Sequence, residues 1–182
     1  AGRSVWLVDL DLLRSPQLAA IRAEADRYGQ LSDPVGASPD GSAFFTIRPP
    51  IADETGRPIP DAAWLEACQV GSGRWWVTRF RREAMQGGRN LHVLPTADYW
   101  RALRSHVDLV VVDSPAADRS RAGLTVAPQM DQTVLVVAAD QPDVAAPARL
   151  KDALHGACGQ VSGLFFNRGQ VETPAFLKAL AP

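Results

Sequence analysis

Residues 107–115 read Val107-Asp108-Leu109-Val110-Val111-Val112-Asp113-Ser114-Pro115, a β-branched and aliphatic run that stops at an acid and a proline. An apolar run that does not alternate is what a strand needs when both faces of a parallel sheet are covered. Asp113 then stands at the carboxyl end of the strand, the edge where open α/β sheets hold their ligands. A plainer description also fits, in which Asp113, Ser114 and Pro115 only turn the chain. The flanking stretches have to decide between the two.

Toward the amino end, Val5-Trp6-Leu7-Val8 forms a second apolar run, followed by Asp9-Leu10-Asp11. Positions two apart on a strand point to one side, so Asp9 and Asp11 can share a cation or a water. The competing reading is a solvated strand end. Residues 16–28 then carry Leu18, Ile21, Ala25 and Tyr28 on one stripe, with Pro16 at the first turn and Gly29 after the last, which predicts a helix. Toward the carboxyl end, strand patterns at 91–94, 107–113, 133–139 and 161–167 alternate with helical ones at 97–105, 119–127, 144–155 and 173–180. Such alternation is the pattern of βαβ crossovers and a parallel sheet.

The middle differs. Residues 31–42 read as a loop, 43–47 as a short strand halted by Pro49-Pro50, and 63–70 and 74–80 as a hairpin about Gly71-Ser72-Gly73. A helix over 61–68 competes, since Ala, Leu and Glu favour one. The glycine turn is no phosphate loop, because Arg74-Trp75-Trp76 follows it where a lysine and a hydroxyl residue belong. The expectation is therefore a single α/β domain over 1–182, a mostly parallel sheet flanked by helices, with an inserted antiparallel β-hairpin region at about 43–82.

With 46% hydrophobic and 21% charged residues among 182, the chain holds enough apolar material for an ordinary domain core. Its net charge of -1 disfavours a general nucleic-acid binder, though not a local basic patch. Cys68 and Cys158 lie far apart with no CxxC, and His92, His106 and His155 lack ligand spacing, so no zinc site or disulfide framework is indicated. No run reaches the length of a bilayer span, and no leader pattern precedes the first strand. The expected location is cytoplasmic.

Taken together, Val8-Asp9-Leu10-Asp11 with Arg14, Val110 to Pro115, Ala127 to Val137 and Gly163 to Arg168 resemble the motif series of the deviant-Walker P-loop ATPases. The nearest branch is the bacterial tyrosine kinases and their relatives of capsular and extracellular polysaccharide synthesis and export. The resemblance covers 4–29 and 91–168. It implies ATP and Mg²⁺ as cofactors, Asp9 and Asp11 as catalytic residues that hold the Mg²⁺ water shell or take a proton from the attacking hydroxyl, Asp113 as a Mg²⁺ ligand through water, and Asn167 as an adenine reader. Those residue types suit the chemistry, because phosphoryl transfer is mostly positioning and charge neutralisation around Mg²⁺.

The sequence also departs from that family. It contains no GxxxxGK[ST], so the backbone cradle for the phosphates is missing from these residues. Either the loop has been removed upstream or the protein never had it. Ala116 stands where a second proline is usual, Leu13 displaces an arginine, and 171–182 hold no tyrosine to phosphorylate. The implied function is an ATPase-like regulator of polysaccharide biosynthesis or export, a pseudo-enzyme unless a P-loop lies upstream. Its implied partner is an envelope polysaccharide-export or chain-length protein that recruits it to the inner membrane, with a homo-oligomer as a further state. The alternative is a non-catalytic module that docks a protein, in preference to nucleic acid, through Trp75 to Arg82, where arginines and aromatics interleave. A half-buried hairpin with a solvated arginine face is the plainer account of that stretch.

Overall fold

The structure is a computed structural model that describes residues 2–140, 143 and 145–169. The chain divides into two compact units, Ala1–Gln129 and Met130–Pro182. The first runs β1 (Val5–Asp9), α1 (Pro16–Ala23), α2 (Ala25–Tyr28), β2 (Val35–Gly36), β3 (Phe45–Arg48), β4 (Leu65–Gln69), β5 (Trp75–Phe80), β6 (Asn90–Val93), α3 (Asp98–Arg104), β7 (Leu109–Asp113) and α4 (Ala122–Val126). The second runs β8 (Thr133–Ala138), α5 (Ala146–Gly156) and β9 (Val161–Asn167). The helix expected over 173–180 lies outside the described residues. Among the described residues no helix is long and apolar enough to cross a membrane.

Five strands of the first unit form one sheet in the order β2-β4-β5-β1-β7. Only β5-β1 and β1-β7 are parallel, while β2-β4 and β4-β5 are antiparallel. The expected mostly parallel sheet flanked by helices is therefore wrong. The hairpin assigned to an insertion supplies the sheet's middle, with β5 hydrogen-bonded to β4 on one side and to β1 on the other. Residues 91–94 do not resume a parallel series either, since β6 pairs antiparallel with β3 in a sheet of its own. Apolar periodicity reports which faces a strand buries. It carries no information on which neighbour takes each hydrogen-bonding edge, because backbone groups are alike in every residue but proline.

One side of this sheet is covered by α1, whose Leu18 and Ile21 pack with Cys68, Val70 and Val77, bordered by Leu7, Tyr28 and Trp75. The other side carries Trp6 stacked on Trp76 with ring centroids 5.8 Å apart. Phe44, Tyr99 and Trp100 form a separate buried aromatic cluster, with centroids 4.9 to 5.1 Å apart. The long helix expected over 16–28 is interrupted at Glu24, whose backbone leaves the helical region at φ -111 and ψ 38. Its last turn approaches the hairpin so closely that a Cβ on Gly71, at φ 55, would lie 2.6 Å from the Tyr28 carbonyl oxygen.

The run that most resembled a doubly covered strand is not buried that way. β7 ends the sheet order, and its Leu109 and Val111 are 51% and 43% exposed. In the second unit β8 and β9 pair in parallel, joined by α5, with Leu135 and Leu154 buried and Val136, Phe165 and Phe166 exposed.

Candidate functional site

The parallel register of β1 and β7 sets Asp9 directly beside Asp113. The chain then turns away from β1, and the Leu10 N–H still donates to the Asp113 carbonyl at 2.9 Å. Asp9 is 1% exposed, yet both of its carboxylate oxygens are satisfied. Oδ1 accepts the Asp11 N–H at 2.9 Å, and Oδ2 accepts the Gln17 N–H at 3.0 Å. Gln17 sits in the first turn of α1, where backbone donors have no partner within the helix. Ser15, the residue that precedes α1, does not cap it: its backbone is left-handed at φ 49, and its hydroxyl donates to the Leu12 carbonyl at 3.3 Å. The buried carboxylate of Asp9 thus does for α1 what an N-cap side chain does elsewhere. Gln17 also reaches the neighbouring strand, its Nε2 donating to Asp113 Oδ2 at 2.8 Å.

Burial pushes the Asp9 carboxyl up to about 6, its two backbone donors pull it down, and Asp113 and Asp11 push it up again. Desolvation outweighs hydrogen bonding here because removing a charge from water costs several kcal/mol before any partner is found. Asp11 points to a different partner, with Arg119 Nη1 at 3.9 Å from its Oδ2.

Asp9 and Asp113 are brought together as the sequence implied, but they do not form a cation cage. Both oxygens of Asp9 are taken by N–H groups, one oxygen of Asp113 is taken by Gln17, and Asp11 lies beside Arg119. Among the described residues no cluster of three His, Cys, Asp or Glu side chains is placed to hold a metal ion. A hard cation such as Mg²⁺ needs free oxygens converging on one point. The residues in this arrangement do not fit it.

Asn167 belongs to the second unit, at the end of β9 in a separate two-stranded sheet. Asn167 thus stands in a different sheet from Asp9 and Asp113, which the mostly parallel sheet expected from the sequence would have joined. Its side-chain oxygen accepts the N–H of the next residue, Arg168, at 2.8 Å.

The arginines of the hairpin are engaged within the fold. Arg79 pairs with Glu66 at 2.7 Å, and Arg81 lies 3.8 Å from the same carboxylate with its guanidinium 4.9 Å from the centre of the Trp64 ring. Arg82 donates to the Arg14 carbonyl at 2.6 Å. Glu66 and Arg79 are cross-strand neighbours in the β4–β5 register, which accounts for their pairing.

Sequence reasoning missed a cavity of about 630 Å³ beside the acids, walled by 10–14, 91–93 and 115–125. Arg14, Arg119 and Arg121 line it. The available signal was Arg119-Ser120-Arg121 in the loop that follows the acid-tipped strand β7, a doublet of cations near a sheet edge that binds ligands in other α/β proteins.

Comparison of the chain with protein-family models, with curated proteins and with solved structures finds no match.

Proposed function

We propose that this chain is an ATPase-like regulatory protein of polysaccharide biosynthesis or export that works by binding and not by turning over nucleotide. The motif series at Val8 to Asp11 and Val110 to Pro115 supports the regulatory part. A single observation supports the non-catalytic part: Asp9, one of the two residues implied as catalytic, directs its carboxylate oxygens to the backbone N–H groups of Asp11 and of Gln17 at the start of α1. A general base must reach a substrate proton, and Asp9 is 1% exposed with its carboxylate turned to those backbone donors. Here the acid pair holds the loop after β1 against the end of β7, and the regulator acts through that surface on an export or chain-length protein at the inner membrane.

Two measurements test this reading. The purified chain given Mg-ATP should release phosphate no faster than buffer alone, and Asp113→Asn should leave that baseline where it is. Turnover that Asp113→Asn abolishes would overturn the non-catalytic reading. Deleting the gene in its host should alter the amount or chain length of exported polysaccharide, and an unchanged polymer would refute the regulatory assignment.

A further inference from the structure

The capping role of Asp9 leaves the adjacent cavity unexplained. At about 630 Å³ it lies within the range of roughly 300–1,000 Å³ typical of small-molecule sites. Its lining holds three guanidinium groups, Arg14, Arg119 and Arg121, against one carboxylate, Asp11. That carboxylate is only loosely matched, at 3.9 Å from an Arg119 that is 51% exposed. Among the described residues none forms an ion pair with Arg14 or Arg121. Cations gathered around one hollow repel each other, and an anion placed among them relieves that repulsion. Ser120 and Thr125 add hydroxyls to the same wall, and Leu12 and Val93 add apolar surface.

We propose that this cavity binds a small phosphate-bearing organic molecule. The guanidinium fork binds oxyanions two oxygens at a time, and a phosphate, with three oxygens where a carboxylate has two, can be shared between two forks. Arg119 and Arg121 hold the phosphate, Arg14 completes its charge balance, and the organic part lies against the apolar wall. The ligand would span the loop after β1 and the loop after β7, the two segments that the Asp9, Gln17 and Asp113 contacts tie together. Binding also gives Arg119 a better partner than Asp11. The site is thereby placed to report ligand to the surface through which the proposed regulator acts.

The test is calorimetric titration of the full chain with glucose 6-phosphate, inorganic phosphate and citrate, in low salt with a chelator present. Glucose 6-phosphate should bind with a Kd of about 1 mM or tighter and should outcompete the other two. The Arg119→Ala/Arg121→Ala variant should lose about tenfold or more in affinity, as removal of charge-assisted hydrogen bonds does. Arg101→Ala, on α3 and paired with Asp98 in the wild-type chain, should bind as the wild type does. If the double alanine variant does not fold, Arg119→Lys/Arg121→Lys keeps the charge without the fork and should still weaken glucose 6-phosphate. Equal affinity for citrate, unchanged binding in the arginine variants or no binding at all would overturn the proposal. Because the titration excludes Mg²⁺, a chain that hydrolyses Mg-ATP yet binds here would sink the non-catalytic reading and leave this one standing.

Discussion

Replacing Asp9 by Asn should flatten a pH dependence of stability that the wild-type chain carries between about pH 4 and pH 6. The carboxyl of Asp9 is raised from 3.8 to about 6 in the folded protein, chiefly by burial. A raised carboxyl favours the protonated folded state, so its contribution is fully present below the unfolded value and is lost as pH rises through the folded one. A rise of about two pH units at 1.36 kcal/mol each sets an upper figure of about 3 kcal/mol. The expected effect is about 2 kcal/mol, since residual interactions of the carboxyl in the unfolded chain reduce the difference between the two states. Asp40, Asp53 and Asp143 have carboxyls held low by local hydrogen bonds and pull the other way. The readout is therefore the difference between variant and wild type, in which those groups cancel. Urea unfolding followed by tryptophan fluorescence should show Asp9→Asn gaining about 2 kcal/mol on the wild type between pH 4 and pH 7.5. A difference that stays constant across that range would refute the claim that Asp9 is buried as an anion at neutral pH.

Phe44→Ala removes a fully buried ring packed on Phe45, Tyr99 and Trp100, and should cost about 3–5 kcal/mol in the same unfolding assay. Gly71→Ala puts a methyl 2.6 Å from a backbone oxygen at a left-handed position, so it should cost at least about 1 kcal/mol, whereas Gly41→Ala meets no atom within 4 Å and should cost less. Ser4→Ala removes the hydroxyl that donates to Asp108 at 2.7 Å, and the Asp108 carboxyl, held low by Ser4, should then titrate at higher pH when followed by carbon NMR. An Asp108 titration that does not move would show that the backbone N–H of Ser4 alone holds it.

Local readings and neighbour readings fared differently. Residues 133–139 and 161–167 carry dense β-branched and aromatic runs, and strands form there at Thr133–Ala138 and Val161–Asn167. The helix pattern at 97–105, anchored by Trp100 and Leu103, becomes α3 with both side chains buried. Gly71-Ser72-Gly73 supplies the hairpin turn, while the competing helix over 61–68 survives only as a 3-10 turn at Asp61–Trp64. Alternation of strand and helix was nonetheless a poor guide to direction. β6 follows the same pattern as β7 and pairs antiparallel with a strand more than forty positions earlier, a choice made by hydrogen-bonding edges that no side chain advertises.

The same division holds at the site. Sequence alone placed Asp9 and Asp113 at the ends of two apolar strands, because each is the acid that ends a run of aliphatic and β-branched residues. It could not say what those carboxylates would meet. Asp9 finds the Gln17 backbone N–H eight positions away because α1 starts against the end of β1, and Asp113 finds the Gln17 side chain 96 positions away because β7 lies beside β1 in the sheet. The gathering of Arg14, Arg119 and Arg121 around one cavity is likewise a product of that adjacency. Residue type decides which groups must be satisfied; only the packing of strand on strand decides by whom, since the partners are fixed by distances in space that the order of the chain does not contain.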